Sequence, residues 1–309
     1  MRRSIVVLGS PTALGGHVGG MERTPAVLRQ AGLIDRIRAE PALAKTQVID
    51  AGDAPNDPGW APDPDPRAKN RALIGRYLPV LAGRVEAALV EDPEARLHLI
   101  GGDCTSHAGA MAGLLRVLEA RLGHRPRLGI AWFDAHGDFN TPDTTPSGNV
   151  WGMPFAMLLG RGDADLVTAA AGPTAREDDA ALLGGQVLDE RESRMLAASQ
   201  VSQFGAGMLG TPAGQAALAG WAATVASRCD GLYVAFDLDA IDQCEGLSLT
   251  MPEPGGISLA TAIASVRLLA AAMPVAGIGT TAAMERPGVD LEPTVAAIAA
   301  LVAAALGSA

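Results

Sequence analysis

Short apolar runs alternate along the chain with longer segments of helical spacing. The runs are Ile5–Leu8, Leu97–Ile100, Leu128–Phe133, Leu232–Phe236 and Val275–Ile278. The helical segments are Arg67–Leu89, Ala108–Leu122, Gly214–Ser227, Leu259–Met273 and Thr294–Leu306. Strands that alternate with helices fold as βαβ units, and continuous apolar runs are typical of strands covered on both faces. The pattern therefore predicts an α/β fold with a mainly parallel central sheet.

Composition narrows the class of protein. With 48% hydrophobic residues in 309, the chain can bury a large core, and we expect a single domain over residues 1–309. The Pro- and Asp-rich segment 53–67 is expected to be an exposed loop within that domain. A net charge of −10 argues against nucleic acid and anionic membranes as partners.

The cysteines and the length of the apolar runs indicate the cellular compartment. The chain has only Cys104, Cys229 and Cys244, which is not a disulfide framework. No apolar stretch reaches the length of a membrane span, and the first apolar run is too short for a signal peptide. A cytoplasmic protein is the prediction.

Polar clusters directly follow three of the apolar runs. Cys104 follows the second run. Asp134, His136 and Asp138 follow the third, and Asp237 and Asp239 follow the fourth. Ligands of open parallel sheets bind at the carboxyl ends of the strands. These side chains are therefore expected to meet at one rim.

The charge of these clusters calls for a cation. Several unpaired buried carboxylates are prohibitively unfavourable, whereas oxygen ligands with one imidazole suit Mn²⁺ or a similar divalent ion. Two metals can share carboxylates and activate a water molecule. The alternative is that each Asp-x-Asp pair is a turn or a helix cap.

The motifs resemble those of the ureohydrolases, the family of arginase, agmatinase and formimidoylglutamase. GGDC at 101–104 is similar to the family's Gly-Gly-Asp-His, and DAHGDFNTPDTTPSGNVWGMP at 134–154 resembles its metal and substrate loop. FDLDAID at 236–242, GGHVGGMERTPAVLR at 15–29 and VLDERE at 187–192 resemble further family segments. The resemblance spans most of the chain.

The resemblance implies a three-layer α/β/α sandwich with two Mn²⁺ ions per chain. Asp134 and Asp237 would bridge the ions, Cys104 and Asp138 would complete one site, and His136 and Asp239 the other. A metal-bridging hydroxide would attack the carbon of a linear amidine, with Asp138 and His136 at the reaction centre. The implied assembly is a homo-oligomer, a trimer or hexamer.

The resemblance also implies a small guanidino or amidino substrate. Residues of the same loop would bind the α-carboxylate and α-amino groups of an amino acid, and these are Asn140, Thr145, Ser147 and Asn149. Asp189 and Glu192 would read the α-ammonium group. Loop capping is the alternative role for Thr145 and Ser147, and a charged helix start is the alternative for Asp189 and Glu192.

Cys104 is the first departure from the family pattern, because the family has histidine there. A thiolate ligand favours Zn²⁺ or Fe²⁺ over Mn²⁺ or leaves that ion loosely held. Two other interpretations stay open. Cys104 is either a small buried hydrophobe beside a missing ion or a nucleophile, although no independent Cys/His/Asn arrangement is visible.

Two further departures concern proton transfer and the guanidinium group. Trp151 stands where the family has a histidine that shuttles protons, and tryptophan cannot do so. His107, in the first turn of the predicted helix, is a candidate shuttle, the alternative being a solvated helix histidine. Ala282 stands where the family has a guanidinium-binding glutamate. Glu285 either replaces it or is a surface residue.

Variant family members that hydrolyse N-hydroxyarginine in the D-cycloserine pathway share the cysteine and lack the shuttle histidine. Their loop is similar to HGDFNTPDTT at 136–145. The chain is therefore expected to be a metal-dependent hydrolase of an arginine-type or N-hydroxyarginine-type amino acid, with agmatinase or formimidoylglutamase activity as further options. The competing hypothesis is a metal-depleted family member with a binding or regulatory role.

Overall fold

The computed structural model describes residues 3–56 and 65–307, and its centre is one parallel sheet. Eight strands follow the order β2-β1-β3-β8-β7-β4-β5-β6, and every neighbouring pair is parallel. The strands are β1 Ser4–Ser10, β2 Gln47–Asp53, β3 Arg96–Gly101, β4 Leu128–Asp134, β5 Ala180–Gly184, β6 Ser202–Gly205, β7 Gly231–Asp237 and β8 Val275–Thr281.

Helices cover both faces of the sheet and produce three layers. In chain order they are α1 Thr24–Gln30, α2 Leu33–Ala39, α3 Arg71–Leu89, α4 Thr105–Leu122, α5 Pro154–Leu158, α6 Ala164–Ala169, α7 Glu190–Ala197, α8 Ala206–Leu209, α9 Pro212–Ala226, α10 Leu259–Ala272 and α11 Glu292–Leu306. One apolar core lies under α1, α2 and α8–α11, and the other lies under α3–α7. The predicted α/β/α sandwich is confirmed.

Successive side chains of a strand enter opposite cores, as the period of two requires. In β1, Ile5 and Val7 belong to one core while Val6 and Leu8 belong to the other. The wholly buried central strands explain why the apolar runs of the sequence are continuous rather than alternating.

All five predicted strands and all five predicted long helices are present, with end shifts of a few residues. The first predicted helix begins at Arg71, and the second begins earlier than predicted, at Thr105. Three strands were not predicted: β2, β5 and β6. Part of the predicted 53–67 loop, residues 57–64, lies outside the described residues. Among the described helices, none has both the length and the apolar character needed to span a bilayer.

The β3–α4 junction places Cys104 at the sheet rim. Asp103 is fully buried, and its carboxylate accepts from the Thr105 amide at 2.9 Å and from the Gly15 amide at 2.9 Å. The first contact closes a turn immediately before α4, and the second fixes the glycine loop that follows β1. Asp103 is therefore committed to structure, and the next side chain, Cys104, faces the rim.

Candidate metal centre and active site

The predicted clusters meet at the carboxyl ends of β3, β4 and β7. Asp134 and Asp237 are the last residues of their strands. All six predicted metal ligands line one cavity of about 270 Å³. We call them the ligand cluster: Cys104, Asp134, His136, Asp138, Asp237 and Asp239. The prediction that the strand-end side chains share one rim is confirmed.

One half of the ligand cluster is already arranged as a cation site. Ligand atoms of Asp134, His136 and Asp239 all lie within 4.8 Å of one another. His136 Nδ1 is 3.4 Å from Asp134 Oδ1 and 3.2 Å from Asp239 Oδ2. Burial lowers the pKa of His136, but the hydrogen bonds and charges of Asp134 and Asp239 outweigh it and raise the pKa to about 12. The two carboxylates therefore favour a positive charge between them, which is what a bound cation would supply.

The other half contains Cys104, Asp138 and Asp237. The Cys104 thiol donates to Asp237 Oδ2 at 2.8 Å. Asp138 Oδ2 is buried and has no hydrogen-bond partner among the described residues. Asp138 also has a φ of 47°, a strained conformation for a residue other than glycine. A buried carboxylate oxygen without a protein partner fits coordination of a divalent cation.

Protonation equilibria give the same indication. Burial, followed by neighbouring carboxylates, raises the pKa of Asp138 and Asp237 well above the ordinary range. Burial also raises the pKa of the Cys104 thiol, and the charges of Asp237 and Asp138 add to it. The carboxylates and the thiol therefore fit divalent cations, which would let them ionise together.

The Cys104 environment distinguishes its three interpretations. The side chain is buried but polar in its contacts, since its thiol donates to a carboxylate, so it is not simply a small hydrophobe. A raised pKa is the opposite of what a cysteine nucleophile requires. The metal-ligand role stays a prediction, supported by the carboxylate and sulfur donors that line the same cavity.

Backbone and indole groups hold the ligand carboxylates in place. The Trp132 indole Nε1 donates to Asp134 Oδ2 at 2.9 Å. The Ala135 amide donates to Asp239 Oδ1 at 3.0 Å, and the Asp239 amide donates to Asp237 Oδ1 at 3.0 Å. These bonds leave each carboxylate little freedom to rotate before a cation arrives.

The predicted amino-acid-binding loop forms the wall of the same cavity. Asn140, Thr145, Ser147 and Asn149 all line it. Thr145 Oγ1 accepts from the Gly148 amide at 3.0 Å, and Ser147 Oγ accepts from the Asn149 amide at 3.2 Å. Thr145 and Ser147 therefore cap the loop and also face the cavity, so both interpretations of these residues describe real contacts.

Asp189 and Glu192 close the cavity at the start of α7. Asp189 Oδ2 accepts from Asn140 Nδ2 at 3.0 Å, while Glu192 accepts from the Phe139 amide at 2.9 Å. Glu192 also accepts from the Asp189 amide at 3.4 Å, as in a capping box. Burial raises the pKa of Glu192 to about 7. Both residues line the cavity and also form the helix start that the alternative describes.

The structure supports neither of the two roles predicted for His107. It lies in the first turn of α4, as predicted, but it is fully buried and does not line the cavity. It is therefore not a solvated helix histidine, and it has no access to a substrate as a proton shuttle. Its partners are Tyr233 Oη and Thr281 Oγ1, because α4 packs this face against β7 and β8.

The two other departures lie where expected. Trp151 and Ala282 both line the cavity. Glu285 instead forms an ion pair with Arg23 at 2.8 Å, with side chains 53% and 66% exposed. Glu285 is thus a surface residue, and the cavity lacks its carboxylate.

Sequence reasoning missed several residues of the cavity and its edge. His17 lines the cavity, accepts through Nδ1 from Asn149 Nδ2 at 2.8 Å, and packs edge-on against Trp151. Glu253 Oε1 is 3.7 Å from His136 Nε2. The other lining residues that it did not name are Met21, Pro146, Gly152, Val187, Thr250 and Met251. The segments 15–29, 134–154 and 187–192 contain all of these except Thr250 and Met251, and they were the available signal.

Comparisons with known proteins agree with this geometry. The profile of the arginase family matches residues 3–307. Arginase of Bacillus subtilis (strain 168) is 30% identical over 264 residues, which cover 84% of this chain and 82% of that protein. The crystal structure of arginase from Bacillus caldovelox superposes with a TM-score of 0.84 at 26% identity, covering 100% of this chain and 99% of that one.

A more distant structure shows the fold alone. Formimidoylglutamase from Bacillus subtilis has a TM-score of 0.75 at 18% identity, covering 98% of this chain and 86% of that one. The profile match, the Bacillus subtilis relative and the rim geometry together show that the chain belongs to the arginase family, whose members are hydrolases that act on C–N bonds in linear amidines.

Proposed function

We propose that the chain hydrolyses an amino acid carrying a guanidino or N-hydroxyguanidino group, with two divalent cations in the ligand cluster. One observation carries the proposal: the acidic ligand cluster and the polar loop of Asn140 to Asn149 line the same cavity of about 270 Å³. The cluster takes the amidine end of such a substrate. The loop offers hydrogen bonds to its α-carboxylate and α-amino groups.

The proposed ligands divide between two sites that share Asp134 and Asp237. Cys104 and Asp138 belong to one site, and His136 and Asp239 belong to the other. Cations bound there would supply Lewis acidity and an activated water molecule. The imidazole and carboxylates of the second site suit Mn²⁺, whereas the sulfur of the first favours Zn²⁺ or Fe²⁺.

The chain's own residues orient the substrate and limit the chemistry. The Asn140 amide is held on both sides, by Asp189 through Nδ2 at 3.0 Å and by Thr144 through Oδ1 at 2.9 Å. Its side chain is therefore preorganised. In the overall reaction water adds to the amidine carbon and the C–N bond breaks. A guanidine yields an amine and urea, and an N-hydroxyguanidine yields an amine and hydroxyurea.

The cavity wall favours the hydroxylated substrate. The Trp151 indole can donate a hydrogen bond but cannot transfer a proton, and Ala282 has no charge with which to pair a guanidinium group. An N-hydroxyguanidine is less basic, so it needs less proton delivery and less charge pairing than a guanidine. N-hydroxyarginine is accordingly the proposed preferred substrate, ahead of arginine and of amines that lack the α-carboxylate.

A substrate and metal panel tests the proposal. Arginine, N-hydroxyarginine, agmatine, guanidinobutyrate and formimidoylglutamate are assayed with Mn²⁺, Zn²⁺ and Fe²⁺, while the metal content per chain is measured. Two ions per chain with urea or hydroxyurea release from the amino acids is the expected result. At most one ion after loading, with no product from any compound, would support a binding or regulatory role instead.

Light scattering tests the predicted trimer or hexamer.

A further inference from the structure

His107 lies directly behind the ligand cluster and joins two strands. Its Nδ1 is 3.0 Å from Tyr233 Oη on β7, and its Nε2 is 3.2 Å from Thr281 Oγ1 on β8. Thr281 Oγ1 in turn donates to Asp237 Oδ2 at 3.3 Å. A single side chain therefore separates His107 from a proposed metal-bridging carboxylate.

The direction of every hydrogen bond in this chain of groups follows from donor and acceptor chemistry. Thr281 donates its one hydroxyl hydrogen to Asp237 Oδ2. Thr281 Oγ1 must then accept from His107, which requires the proton on Nε2. Nδ1 is left as an acceptor for the Tyr233 hydroxyl.

A second contact reaches the other proposed bridging carboxylate. The His107 ring packs edge-on against Trp132 with ring centroids 5.0 Å apart. The Trp132 indole donates to Asp134 Oδ2 at 2.9 Å. The same imidazole thus contacts the side chains that hold both Asp134 and Asp237.

The fold reserves space for this arrangement. A Cβ atom at Gly279 would lie 2.5 Å from Tyr233 Oη and 2.6 Å from His107 Nδ1. Any other residue at 279 would push the histidine or the tyrosine from its place. Burial lowers the pKa of His107 to about 3, so the ring stays neutral, as one donor and one acceptor nitrogen require.

We propose that His107 is a positioning residue for the metal centre, which fixes the orientation of Asp237 through Thr281 and that of Asp134 through Trp132. The proposal rests on the proposed function only in taking the ligand cluster to bind divalent cations. Groups that orient metal ligands typically change metal affinity by about 10–100-fold. Loss of the His107 link is expected to weaken Mn²⁺ binding within that range.

His98 provides a matched control for burial and chemistry. It is also fully buried, and its Nε2 is 3.2 Å from Thr280 Oγ1, the neighbour of Thr281 on β8. Adjacent residues of a strand face opposite sides of the sheet. In the described part of the chain, the hydrogen bonds of His98 and Thr280 do not reach the ligand cluster.

The experiment compares His107→Leu and Thr281→Val with His98→Leu and Thr280→Val. Calorimetric titration of metal-depleted protein with Mn²⁺ gives the affinity, and thermal unfolding gives the Tm. We expect about 10–100-fold weaker binding in the first pair only. Both histidine variants should lower the Tm, because His107→Leu removes the histidine partner of two buried hydroxyls and His98→Leu that of one. His107→Gln, which keeps a donor and an acceptor, should recover part of the affinity.

Combining variants separates positioning from general damage. The loss in His107→Leu with Thr281→Val should be smaller than the product of the two single losses, because both interrupt the route through Thr281 to Asp237. The Trp132 contact is removed only by His107→Leu and contributes separately. Equal affinity losses in the His107 and His98 variants, or unchanged affinity in Thr281→Val, would overturn the proposal. Thr281→Val keeps the side-chain shape and decides the matter if His107→Leu does not fold.

The result also separates this inference from the proposed function. A wild-type protein that binds Mn²⁺ more tightly than His107→Leu, yet hydrolyses no guanidine, overturns the function and supports the positioning role. A wild-type protein that hydrolyses N-hydroxyarginine with the same Mn²⁺ affinity as both variants of the first pair overturns the positioning role alone. A wild-type protein that binds no divalent ion overturns both.

Discussion

Replacing Ala282 with glutamate is expected to move the substrate preference toward unmodified guanidines. Ala282 lines the cavity, is 4% exposed, and has a φ of 61°. This left-handed conformation strains alanine and glutamate alike, because both have a Cβ atom. The exchange therefore adds a carboxylate to the wall with little new backbone strain.

The size of the effect follows from competing charges. A hydrogen bond between charged groups contributes roughly 1.5–3 kcal/mol, which corresponds to about 10–150-fold at 1.4 kcal/mol per tenfold. The new carboxylate also lies in a cavity that Asp237 and Asp239 line, and their charge disfavours its ionised form. We therefore expect the lower end of this range, about a tenfold gain in the ratio of kcat/KM for arginine over N-hydroxyarginine.

The assay measures urea and hydroxyurea separately, at matched metal content, for wild type and variant. Ala282→Gln is the control, since it has the same length and no charge, and its ratio should stay near that of the wild type. If glutamine shifts the ratio as much as glutamate does, or if glutamate lowers it, charge at position 282 does not set the preference and the reasoning is refuted.

Four further substitutions have defined outcomes. Cys104→His should raise the number of Mn²⁺ ions per chain and favour unmodified guanidines, because imidazole suits Mn²⁺ better than thiolate does; unchanged metal content by mass spectrometry would show that the sulfur is not at the metal. Glu285→Gln should leave kcat/KM unchanged and alter the unfolding free energy by less than about 1 kcal/mol, as its ion pair is exposed; a large activity loss would contradict its surface placement. Asp179→Asn should lower the unfolding free energy by about 3 kcal/mol, since the buried carboxylate pairs with two partly exposed arginines. Asp178 is half-buried, and its contacts with the same arginines are longer. Asp178→Asn should therefore lower the unfolding free energy by less than about 1 kcal/mol in the same denaturant titration.

The central part of the fold was predictable because the central strands are buried on both faces. Such strands appear as unbroken apolar runs whatever their order in the sheet. Two of the missed strands lack that signal, because β2 and β6 are the two edge strands and are mostly exposed or half-buried. β5 is buried throughout, but its sequence AALLG has no β-branched or aromatic residue, the types that favour strands. The shared rim was predictable for a related reason, since all parallel strands end on the same side.

The groups behind the rim were not predictable, because they come together only across long stretches of chain. His107 is 126 residues from Tyr233 and 174 residues from Thr281. Local spacing placed His107 on a helix, but the first turns of α4 are buried all round. Periodicity therefore left no apolar face from which to deduce the direction of its side chain.

The departures from the family pattern are built into the cavity wall together. A Cβ atom at Gly16 would lie 2.0 Å from the Trp151 ring, and the Trp151 amide donates to the Gly15 carbonyl at 2.9 Å. The glycine loop after β1 thus has the shape that the indole requires, so tryptophan at 151 is part of the packing rather than a local defect. The amino-acid side of the cavity keeps its polar loop, while the reacting side has neither a shuttle histidine nor a carboxylate at 282. Under the proposed function the polar loop would bind the amino acid, and the two absent groups are those that a strongly basic guanidinium would require. This combination is why an amino acid with a less basic head group is the proposed substrate.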